Sequence, residues 1–61
     1  HGRAKQVIHE TFNFYYEQVK TKLNDQQTIT RLDEYMLRQS AALLDSLGDS
    51  TYQEKIQQLI P

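Results

Sequence analysis

A chain of 61 residues and 7.2 kDa holds at most one small domain, whose core alone supplies only a few kcal/mol of stability. It has no cysteine, which excludes disulfides and thiolate zinc sites, and its net charge of −1 leaves little for neutralising phosphates. No apolar run approaches the ~18 residues of a membrane-spanning helix, so the shortfall in burial points to a protein partner.

Leu, Ile, Val and Phe number 15 of the 61 residues, about a quarter, which lies above the ~20% below which chains tend to be disordered. A mean hydropathy of −0.76 and eight glutamines describe a polar surface around a thin core. Gly2, Gly48 and Pro61 are the only glycines and proline, and a sheet would need more turns than these allow. The composition therefore predicts an all-α fold. It would be a long helical hairpin with a short third helix, either a three-helix bundle or half of a dimeric bundle. His1-Gly2 reads as a disordered start left by cleavage or cloning. Residues 3–61 read as one small domain, a fragment or terminal module of a larger protein. The compartment stays open, with an intracellular one favoured.

The first helix is expected from about Arg3 to Asn24. Ile8, Phe12, Tyr15, Tyr16, Val19 and Leu23 recur at three- and four-residue steps along one stripe. Asn24, Asp25 or Thr28 would cap a second helix from about Gln27 to Leu47. Its main stripe is Ile29, Leu32, Met36, Leu43 and Leu47, with Leu37 and Leu44 widening one flank. Gly48 should end it, since glycine takes the left-handed conformation that follows many helices. Asp49, Ser50 or Thr51 would then cap a third helix ending at Ile60, with Tyr52, Ile56, Leu59 and Ile60 on one side and Pro61 as a stop. At about ten residues such a helix must dock to be stable.

His9-Glu10-Thr11-Phe12-Asn13 is the one local pattern with chemical potential. Through His9, Glu10 and Asn13 it resembles the phosphoacceptor box of sensor histidine kinases, in which the histidine accepts a phosphoryl group and the adjacent carboxylate acts as base. Phe14 stands where that family has proline, and Phe12 replaces its basic residue. Wheel arithmetic puts His9 at the edge of the main stripe, which reads as a surface histidine flanking the core. Position 13 is Asn, so the zinc-protease pattern His-Glu-x-x-His is absent as well. Ser40, Ser46 and Ser50 lack a glycine-flanked elbow, and there is no phosphate-binding glycine loop. Asp33-Glu34 and Asp45 read as a solvated face, with Glu34 and Arg38 paired one turn apart. No enzyme, cofactor or metal is expected.

What remains is apolar surface in excess of one core. Val7 and Phe14 lie one heptad apart on the first helix, more than 100° from its main stripe, beside Thr11, Gln18 and Thr21. With the Leu37–Leu44 flank they form the expected partner-binding surface. The function this predicts is protein–protein association, as a dimerisation or docking domain. The partner would be a second copy or another helical segment. The alternatives are a nucleic-acid-associated helical domain, weakened by the low positive charge, and a phosphotransfer domain around His9.

Overall fold

The computed structural model describes residues 2–60; His1 and Pro61, the expected start and stop, lie outside the described residues. The described residues are 81% helical and form three helices and no strand. They are α1 (Gly2–Asn24), α2 (Arg31–Ser46) and α3 (Thr51–Leu59). Gly2, expected in a disordered start, opens α1.

α1 ends in a turn that the sequence does not advertise. Gln26 takes φ of 60°, its N–H donates to the Leu23 carbonyl, and the Gln27 N–H donates to the Lys22 carbonyl at 2.7 Å. This is the reciprocal pattern of a left-handed helix stop, usually glycine's place. The following residues to Ile29 stay non-helical, so α2 begins four residues later than expected. Its cap is Thr30 rather than Asn24, Asp25 or Thr28. The Thr30 hydroxyl accepts from the Asp33 N–H at 3.1 Å, and the Asp33 carboxylate accepts from the Thr30 N–H at 3.4 Å. That closes a capping box.

Gly48 ends α2 as expected, at φ of 94°. The Gly48 N–H donates to the Asp45 carbonyl and the Asp49 N–H to the Leu44 carbonyl, which repeats the same stop. Ser50 sits at the α3 cap position without a side-chain bond, while the Asp49 Oδ1 accepts from the Thr51 N–H.

α1 and α2 form an antiparallel hairpin, and α3 folds back onto it within the same chain. Phe12, Val19, Leu37, Ala41, Leu44 and Ile56 are fully or almost fully buried, with Ile8, Tyr15, Tyr16 and Ile29 packed around them. α3 adds Tyr52, Leu59 and Ile60. Tyr52 meets the Phe12 ring edge-on at 4.7 Å, and Phe12 stacks on Tyr16 at 5.6 Å.

Two expectations about α2 are corrected here. The Leu37–Leu44 flank forms the core of the hairpin, while Leu32, Leu43 and Leu47 of the supposed main stripe are exposed. Relative to the expected orientation the helix is turned by roughly 100°, about one residue's rotation. Asp33, expected in solvent, is buried. Lys22 of α1 reaches across the turn and donates to its Oδ2. Ser40 is buried too, and its hydroxyl donates to the Met36 and Leu37 carbonyls, so no partner is needed from α1. With Ala41 it makes a small-residue side on α2 that lets a neighbouring helix approach closely. Leu23, counted in the α1 stripe, is 41% exposed.

Candidate partner interface

A two-helix hairpin has two grooves along its length, one on each face. α3 lies on the groove marked by His9, Phe12 and Tyr16 on α1. Among the described residues nothing covers the opposite groove. It is lined by Val7, Ile8 and Thr11 from α1 and by Met36, Ser40 and Leu43 from α2, and it encloses about 220 Å³.

The face around the groove carries four of the seven large apolar residues that are exposed among the described residues. Val7 is 54% exposed and Phe14 57% on α1, while Leu32 is 61% and Leu43 50% exposed on α2. Along α1 the row runs Val7, Thr11, Phe14, Gln18 and Thr21, at alternating steps of four and three. Along α2 it runs Leu32, Met36, Gln39 and Leu43, again at steps of four and three. That spacing keeps a row facing one neighbour helix along its whole length. Phe14, Gln18 and Thr21 continue into an open depression that reaches Gln27 in the connection. The Phe14 ring is held edge-on by Tyr15 at 5.1 Å.

Of the four residues expected on a partner surface, Val7 and Phe14 are exposed on the uncovered face. Leu37 and Leu44 are not available there. Both are fully buried between the helices, so they leave the candidate surface and belong to the core. Leu32, Met36 and Leu43 take their place, residues the periodicity had assigned inward. Their signal in the sequence was the width of the α2 apolar arc, which exceeds what one hairpin buries.

No charged side chain lines the groove itself; acidic residues flank the α1 row, and the arginines of α2 lie on another side of that helix. On α1 the exposed Glu17 lines the depression around Phe14, and the exposed Glu10 lies one heptad earlier. On α2, Arg31 and Arg38 share a separate depression with Glu34, Tyr35 and Gln39, roughly 110–130° round the helix from the Leu32–Leu43 row. Arg38 donates through Nε to Glu34 at 3.1 Å, the expected pair within α2, which leaves its other guanidinium nitrogens free to point outward.

His9 lies on the other side of α1, half-buried. Its Nδ1 is 2.9 Å from the Tyr52 hydroxyl, and the two rings meet edge-on at 5.0 Å. This imidazole joins α1 to α3. Lys55 places its ammonium 5.3 Å from the centre of the Tyr52 ring, within range of a cation–π contact. Among the described residues no three His, Asp or Glu side chains come together as metal ligands, and no helix is long and apolar enough to cross a membrane. No known protein family, no curated protein and no solved structure matches the chain.

Proposed function

We propose that this chain is a protein association module, working through the helical face that α3 leaves uncovered. One observation carries the reading: two heptad-spaced rows, one from each long helix, converge on a groove with large apolar side chains half or more exposed. Scattered apolar residues on a surface mean little, but a contiguous apolar groove rimmed by polar residues marks an interaction site. A helix laid in that groove would bury Val7, Met36 and Leu43 together, as helix-in-groove recognition does. The total accessible surface of 4570 Å² points the same way. It exceeds by about a tenth the ~4100 Å² expected of a monomer of this mass.

The test is site-directed cross-linking in the source cells. A photo-reactive side chain at Leu43 should trap one dominant protein, identified by mass spectrometry, and the product should disappear when Val7→Glu is added. A probe at Glu54, on the exposed side of α3, should trap little. Equal capture from both positions would overturn the assignment of this face.

A further inference from the structure

We infer that α2 has a second contact surface, on its solvent side, that takes a short acidic segment of a partner protein. It is separate from the groove and does not depend on what fills it. Arg31, Tyr35 and Arg38 recur at steps of four and three, and all are exposed. They share one depression with Glu34 and Gln39. The two arginines stand roughly 10 Å apart along the helix axis, with Tyr35 between them.

The fold itself does not use this group. Tyr35 is 60% exposed and lies roughly 160° round α2 from the buried Leu37. Among the described residues its ring meets no other aromatic ring and no cation. Both carboxylates in the first turn of α2 are already taken, Asp33 by Lys22 and Glu34 by Arg38. Arg31 is therefore left, among the described residues, with no carboxylate at ion-pair distance. It also opens α2, where the helix dipole disfavours a cation. Residues that local electrostatics opposes and packing ignores are expected where a ligand binds.

The chemistry of the group selects the ligand. A guanidinium presents five donors in a planar fork that matches a carboxylate. The fork of Arg31 is unused, and Arg38 keeps its terminal nitrogens while Nε serves Glu34. Two carboxylates three residues apart on an extended segment, at about 3.3 Å per residue, span the distance between the arginines. Tyr35 offers a ring to the side chain between them, and the Gln39 amide can both donate to and accept from a backbone. Tyrosine and arginine are the residue types in which interface energy concentrates. A nucleic acid fits less well, because two arginines neutralise few phosphates and the net charge of −1 sets up no attractive field for a long polyanion.

The test is amide-resolved NMR of the whole chain in about 20 mM salt, where screening is weak. The probe is a blocked pentapeptide with four glutamates around a central phenylalanine. The signals of Arg31, Tyr35, Arg38 and Gln39 should shift together, with an apparent Kd of about 1 mM. Arg31→Gln and Tyr35→Ala should each weaken binding about threefold or more, with helicity unchanged by circular dichroism. A Tyr35→Ala variant that binds as well as the parent would reduce the effect to bare charge attraction and overturn the site. Shifts as large around Lys5, Lys20 and Lys55 as around Arg31, or none at about 10 mM peptide, would overturn it too. A ten-nucleotide thymidine strand that binds these residues more tightly than the peptide would overturn the choice of a protein partner.

Discussion

Asp33 combines three tasks that the sequence presents as one exposed charge. It caps α2 from its third position, receives the Lys22 ammonium from α1, and does both while buried. The hydrogen bond from Lys22 holds its carboxyl below the ordinary value of 3.8; burial pushes the other way, and the Thr30 hydroxyl and N–H add to the lowering. A group whose folded value is the lower one stabilises the fold above its unfolded value and loses that contribution as pH falls through the folded one. Asp33→Asn should therefore lower the melting temperature at pH 7, and the gap to the parent chain should narrow as pH drops below about 4. Thr30→Ala, which removes the hydroxyl cap and only a lesser cause of the Asp33 shift, should cost about 1 kcal/mol and depend on pH less steeply than Asp33→Asn. A gap for Asp33→Asn that stays constant with pH would contradict the Lys22 account.

At the scale of the helices, the contrast lies between the two sides of α2. Leu37 and Leu44 are fully buried and Leu43 is half exposed, although all three are leucines within eight residues. Leu37→Ala should destabilise the monomer by about 2–5 kcal/mol, and Leu43→Ala by less than about 1 kcal/mol. Denaturant unfolding at low concentration would measure both, and a larger loss at Leu43 than at Leu37 would mean α2 is turned as its periodicity alone suggested. Three helices and their order were legible because the 3.6 period is strong in α1 and α2 and Gly48 is an unambiguous stop. The rotation of α2 was not, because both of its stripes are apolar and the larger one faces out. What decides between them is non-local: Lys22 reaches Asp33, and α3 needs Leu44 and Ala41 beneath Ile56. The Thr30-to-Asp33 box was readable, but Thr28 and Asp25 offered equally good caps nearby. The left-handed Gln26 carries no sequence signal at all. On the candidate face, Val7 and Phe14 could be found because α1 has only one strong stripe, and residues off it stand out.

The whole molecule is asymmetric in how firmly its parts are held. α1 and α2 share the long core and are tied at their turn by Lys22 and Asp33, whereas α3 is nine residues long, lacks a side-chain cap at Ser50, and buries only Ile56 fully. A helix of that length has almost no stability apart from its docking. Its attachment also passes through one tyrosine, which packs on Phe12 and bonds His9. Native-state amide hydrogen exchange should therefore be fastest in α3, by a sub-global opening that leaves the hairpin protected. Tyr52→Phe should accelerate α3 exchange alone, by about a factor of 2–10 for one lost hydrogen bond; a uniform acceleration across all three helices would mean that the chain opens as one unit. Each opening strips the cover from Phe12 and the Ala41–Leu44 side of α2, so the molecule would briefly present apolar surface on both faces. Proteases and aggregation partners meet a small domain through such excursions, which makes the tyrosine latch a determinant of lifetime as much as of shape.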